Sequence, residues 1–112
     1  MPPIREMSNT ELADLIRARD PYRGKAVFEL GDRATTDNGA ASLLGELSSH
    51  PVLREDRIHA LSLAWAAIVS LLAAQTPYAR QVAYRSFAAL PELEQRDLLA
   101  YLRCTRIEDA QP

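Results

Sequence analysis

Histidine and cysteine do most of the acid–base, nucleophilic and metal chemistry available near neutral pH. This chain of 112 residues holds two His and one Cys. His59 follows Glu55 at i,i+4, which puts the two on one helix face, a geometry able to chelate a metal weakly. No second His or Cys lies nearby to complete a site, so the pair reads as a surface salt bridge. His50 precedes Pro51 at a helix end, where an imidazole caps a carbonyl. Cys104 has no His at a spacing that would generate a thiolate, and with only Arg103 and Arg106 close by it reads as a bystander thiol. Gly24, Gly31, Gly39 and Gly45 stand singly, so no phosphate-cradling loop is encoded. Glu92 and Glu94 point to different sides of a helix and cannot share a proton-transfer task. The residues predict no catalytic group, no metal site and no cofactor.

Side chains suited to recognition are better represented. Tyr and Arg are over-represented at binding hot spots, and the candidates for partner binding are Tyr22, Arg54, Asp56, His59, Tyr78 and Tyr84, all in the first turns of the middle helices. The alternative for the tyrosines is packing between helices. Arginine outnumbers lysine twelve to one. That bias would give a surface of planar bidentate donors, but the codon usage of a GC-rich genome, which also inflates alanine, is the preferred account.

The elements that must position these residues are helical. Alanine occurs 18 times and leucine 16, whereas Val, Ile and Thr together total 14. Ala and Leu lose little entropy in a helix, and β-branched residues are the ones that favour strands. The expected class is all-α, with five to six antiparallel helices. A single Cys excludes an internal disulfide framework. The net charge of −2 argues against a binder of phosphate backbones. The longest apolar run, Leu63 to Val69 and then Leu71 to Ala74, is shorter than the ~20 residues a bilayer needs. The expectation is a soluble, cytoplasmic protein.

Local signals set the helix starts. Ser8 and Glu11 have capping-box spacing, with Met7 and Leu12 placed as a hydrophobic staple. Asp20-Pro21 and Thr76-Pro77 are cap-plus-proline pairs. Asp37 or Asn38 caps a third helix, which stops before Pro51. A long fourth helix is expected from about Leu53 to Gln75, because Ile58, Leu61, Trp65, Ile68 and Leu72 repeat at spacings of three and four. Its opposite side carries Ser62, Ala66, Ser70 and Ala73, small enough to admit a neighbour closely. Trp65 belongs to the buried stripe of this spine. A sixth helix follows Pro91. Residues 1–7 are an N-terminal tail, 8–103 one helical domain, and 104–112 a frayed tail.

Three segments share an Arg-x-x-Ala-apolar pattern beginning at Arg23, Arg57 and Arg80, each a few residues after a proline. Recurring helix pairs are the mark of an α-solenoid. Asp20-Pro21-Tyr22-Arg23 with Ala26-Val27, then Glu29-Leu30-Gly31-Asp32 and Leu43-Leu44-Gly45-Glu46-Leu47, resemble the HEAT-repeat family, particularly short bacterial HEAT-like repeats related to phycobilisome lyases. The resemblance implies a short α-solenoid, with an irregular helical bundle as the alternative. It also implies a protein-binding scaffold rather than a catalyst, with Arg23, Arg57 and Arg80 pairing inside the stack. The expected function is a non-catalytic interaction module (adaptor, regulator, antitoxin or toxin-immunity type) with a protein partner. One alternative is a nucleic-acid binder using Arg54, Arg57, Arg80 and Arg85. The other is a self-associating structural protein, since Leu98, Leu99 and Leu102 make the last helix apolar for an end cap.

Overall fold

The computed structural model describes residues 3–58 and 61–112, and the side chains of these except at 57 and 58. The described residues form seven α-helices: α1 (Asn9–Arg17), α2 (Arg23–Arg33), α3 (Asn38–Leu47), α4 (Pro51–Glu55), α5 (Leu63–Ala73), α6 (Pro77–Ala88) and α7 (Glu92–Leu102). A 3-10 turn stands at each end, Ile4–Glu6 and Ile107–Asp109. The all-α expectation holds.

Side-chain caps explain most helix starts. The Ser8 hydroxyl accepts from the Glu11 amide at 3.1 Å while Glu11 Oε1 accepts from the Ser8 amide at 2.9 Å. That closes the capping box, and it holds the Glu11 carboxyl below the usual carboxylate range, the Ser8 amide being the larger cause. Asp37 accepts from the Gly39 and Ala40 amides at 2.8 and 3.3 Å. Thr76 accepts from the Ala79 amide at 3.0 Å, with Pro77 opening α6. His50 also caps, but an amide rather than a carbonyl: its Nδ1 accepts from Val52 at 3.1 Å, because Pro51 starts α4 directly behind it. The start of α2 falls later than Asp20-Pro21 predicts. Asp20 folds its carboxylate onto the Tyr22 amide at 2.8 Å, spending itself on a turn, and the helix begins at Arg23.

The expected helix from Leu53 to Gln75 is interrupted. It divides into α4 and α5, separated by a two-residue antiparallel pairing of β1 (Arg57–Ile58) with β2 (Leu61–Ser62). Two local groups account for the break. Asp56 leaves the helix in an extended conformation to meet Arg23, and the Ser62 hydroxyl caps α5 by accepting from the Trp65 amide at 3.0 Å. The three-and-four spacing across Ile58 and Leu61 therefore continues a helix pattern through a hairpin.

Leu12, Ile16, Leu30, Leu44, Leu47, Leu53, Ile68, Leu71, Leu72 and Leu98 are fully buried and form one core. The Cα extents are 39 × 27 × 19 Å, and a short dimension of 19 Å accommodates two helix layers whose axes lie ~8–10 Å apart with Cα atoms ~2.3 Å from each axis. The pair α2–α3 lies against the pair α5–α6, with α2 on α5 and α3 on α6. Glycine makes both approaches possible. A Cβ on Gly31 would stand 2.7 Å from Ser70 Cβ, and one on Gly45 would overlap Val82 Cγ1.

Both termini are held more tightly than expected. Arg33 donates to the Ile4 and Arg5 carbonyls at 3.3 and 3.2 Å. At the other end Ile107 and Ala110 are buried, so the segment expected to fray packs against α6 instead.

Candidate functional site

Three contacts, together with two residues that line one hollow, fix the direction of α3 relative to α6. Ser42 shares a short hydrogen bond with Tyr78, Gly45 meets Val82, the Ser86 hydroxyl reaches the Gly45 carbonyl at 3.5 Å, and Ser49 and Ala89 line the same hollow. Rising numbers on one helix match rising numbers on the other, so the two run the same way. Beside the close contact that Gly45 allows with Val82, the seam between them opens into a groove of about 520 Å³. Ser42, Ser49 and Glu46 form one wall, Tyr78, Arg85 and Ala89 the other, and Gly45, Val82 and Ser86 the floor. The Ser42–Tyr78 bridge crosses the groove at one end.

Among the described residues some charges are ion-paired and others, such as Arg5, Glu6, Lys25, Asp32, Arg96 and Arg103, are exposed without an ion pair. Arg17, Arg19, Arg23, Arg33, Arg54 and Arg106 each meet a carboxylate. Glu46 and Arg85 are exposed, and neither forms an ion pair among the described residues. An arginine left free on one wall and a glutamate on the other offer a bidentate donor and an acceptor to something outside the fold.

The residues proposed from sequence for binding are dispersed. Tyr78 lines the groove. Asp56 pairs with Arg23, which also donates to the Asp20 carbonyl at 2.9 Å; this guanidinium holds the Asp56 carboxyl below the usual range. Arg54 pairs with Glu94, whose other oxygen accepts the Trp65 indole N–H at 3.2 Å. Trp65 is accordingly half-buried, not sunk in the core: its polar edge needs that acceptor. Tyr22 lies beneath Lys25, with Nζ 5.8 Å from the ring centroid. The Tyr84 hydroxyl accepts from Arg80 Nε at 2.8 Å. His59 lies outside the described residues, and Glu55, its expected partner, pairs with Arg19 at 3.4 Å.

Of the four arginines considered for nucleic acid, the three whose side chains are described lie in different places. Arg80 is used within the fold: besides Tyr84 it donates to the Leu72, Glu108 and Ala110 carbonyls at 3.4, 3.1 and 3.2 Å. Arg54 is engaged by Glu94, Arg85 faces the groove, and the Arg57 side chain lies outside the described residues. Among the described residues no three His, Cys, Asp or Glu are grouped to hold a metal. Burial, reinforced by the Asp109 charge, raises the Cys104 thiol, which disfavours the thiolate.

Other hollows are present among the described residues, a small one of about 130 Å³ lying where Gly31 of α2 meets Ser70 of α5, and two larger ones elsewhere. One of the larger, of about 520 Å³, lies between the N-terminal turn and α2 beside Phe28, which is 47% exposed. Another, of about 590 Å³, is formed by Glu92, Leu93, Gln95, Arg96 and Leu99 of α7 alone. Both carry exposed charges of each sign without an ion pair among the described residues, Arg5, Glu6, Lys25 and Asp32 in the first and Glu92 and Arg96 in the second, but neither lies between two aligned helices.

Sequence reasoning missed Glu46, Ser42 and Ser49, and it considered Arg85 only for nucleic acid. The available signal was the run Ser42, Gly45, Ser49, small residues at spacings of three and four on a helix otherwise carrying leucines. Comparison with protein-family models, curated proteins and solved structures finds no match for this chain. No helix of the described residues is long and apolar enough to cross a membrane.

Proposed function

We propose that the chain is a non-catalytic, HEAT-like helical module that docks a protein partner along the α3/α6 groove. The observation carrying this reading is a groove between two aligned helices that is lined by Glu46 from one and Arg85 from the other, both exposed and without an ion pair among the described residues, with Tyr78 at one end. Tyr and Arg in such a setting are the side chains from which interfaces draw most of their energy.

The repeat reading gains support from the contact register. Gly31 and Ser70 are 39 positions apart and Gly45 and Val82 are 37 apart, close to the ~40 residues of a HEAT-type pair. Corresponding helices of successive pairs touch, α2 with α5 and α3 with α6, which is how solenoid units bury their faces. The equivalent positions are the small residues; the offsets of 34 and 23 between Arg23, Arg57 and Arg80 do not follow this register. In such a stack α3 and α6 form one continuous wall, the surface on which these scaffolds commonly receive partners.

The test is retention of partners from an extract of the source organism by immobilised wild-type protein and by Ala89→Trp, which fills the open end of the groove from an exposed position. A specific protein held by the wild type and lost on Ala89→Trp, but kept by Tyr84→Phe, supports the reading. Equal retention by both proteins refutes it.

A further inference from the structure

We infer that the α3/α6 groove takes an extended peptide segment carrying an acidic and a basic side chain an odd number of residues apart, the acid directed to Arg85 and the base to Glu46. This inference rests on the docking reading above and deepens it.

Two features argue for an extended occupant. While the buried Ser86 hydroxyl is turned to the Gly45 carbonyl, the walls present hydroxyls from Ser42, Ser49 and Tyr78. These groups suit a backbone whose N–H and C=O are unpaired, as in an extended strand, whereas a helix has already paired its own. Ser42 and Tyr78 bond to each other in the free protein and can exchange that bond for one to an incoming backbone.

The spacing follows from where the charges sit. Glu46 belongs to α3 and Arg85 to α6, so they occupy opposite walls of one groove. Successive side chains of an extended strand point to opposite sides, about 3.3 Å apart along the chain. A segment lying along the seam therefore addresses both walls only with residues at i and i+1, or i and i+3. Docking covers both charges, and a covered charge without a partner is strongly unfavourable. The occupant must supply one of each sign.

The test is selection of peptides from a random display library on the folded protein, followed by affinity measurements on the synthesised peptides. The proteins compared are wild type, Glu46→Arg, Arg85→Glu, the double reversal and Ala89→Trp, each checked for an unchanged helical spectrum and melting temperature. The expected result is an acid and a base at odd spacing in the selected peptides, at least a tenfold loss on each single reversal, and preference of the double reversal for peptides with the two charges exchanged. If the reversals leave affinity within twofold while Ala89→Trp abolishes it, the docking reading stands and this inference falls. If Ala89→Trp also binds normally, both fall. Failure to enrich any peptide, displacement of peptide by duplex DNA through Arg85, or a two-copy assembly in sedimentation dissolved by the same reversals overturns the inference in favour of another occupant or none.

Discussion

Gly45 of α3 lies directly against Val82 of α6, so closely that a single added methyl would occupy the space of Val82 Cγ1. The alignment of the two helices, and with it the groove beside them, depends on this contact.

Gly45→Ala is accordingly expected to destabilise the protein. In an unobstructed helix the change gains about 0.5–1 kcal/mol, but overpacking a filled site costs about 1–3 kcal/mol, and here the obstruction is a β-branched side chain with little freedom to turn. Urea unfolding of Gly45→Ala should show a net loss of up to about 2.5 kcal/mol, partly recovered in Gly45→Ala/Val82→Ala.

Arg80 holds the C-terminal segment by donating to the Glu108 and Ala110 carbonyls. Arg80→Met keeps the stem and removes the donors. The loss should be about 1–3 kcal/mol, as for other groups left without partners, and amide exchange at 107–110 should accelerate more than exchange in α2. Lysine cannot reproduce the planar fork, so Arg80→Lys should recover little.

How much of this was legible depends on how far apart the interacting residues are. Caps made within three residues, Ser8 with Glu11 and Thr76 with Ala79, could be read directly because type and spacing suffice. The break between α4 and α5 could not be read, because it depends on Asp56 meeting Arg23 across 33 positions while apolar spacing runs on through the hairpin. The half-exposed Trp65 escaped for the same reason, its acceptor Glu94 lying 29 positions away. The groove was hardest. Whether an arginine is free is decided by tertiary pairing, and Arg85 looks like Arg54 until Glu94 is found beside one and no carboxylate beside the other.

Acid should weaken the fold partly through Asp56. Its carboxyl is held below the usual range by the Arg23 hydrogen bond, with the Arg23 and Arg19 charges assisting against burial. A pKa lower in the folded than in the unfolded chain contributes stability that is present above the unfolded value. That stability is lost as pH falls through the folded one. The stability difference between wild type and Asp56→Asn should be full at pH 6 and narrow below about pH 4. A difference that is constant from pH 6 to pH 2.5 would contradict the assignment.

Arg19, Gln75 and Arg103 adopt φ values of 56°, 57° and 58° at or near helix ends. Glycine is the usual residue there because the left-handed region costs other residues about 1–2 kcal/mol. Gln75 is exposed, so Gln75→Gly should raise stability by about 1 kcal/mol, read as a higher urea midpoint with an unchanged slope.

The most direct measurement of the central claim is amide hydrogen exchange across the whole chain, with and without a saturating peptide selected on the folded protein. Docking along the groove predicts new protection confined to residues 42–49 and 78–89, with α1 and the Phe28 side of α2 unchanged. Protection at Phe28 and the N-terminal turn, or along α7, with none at 42–49, would contradict it.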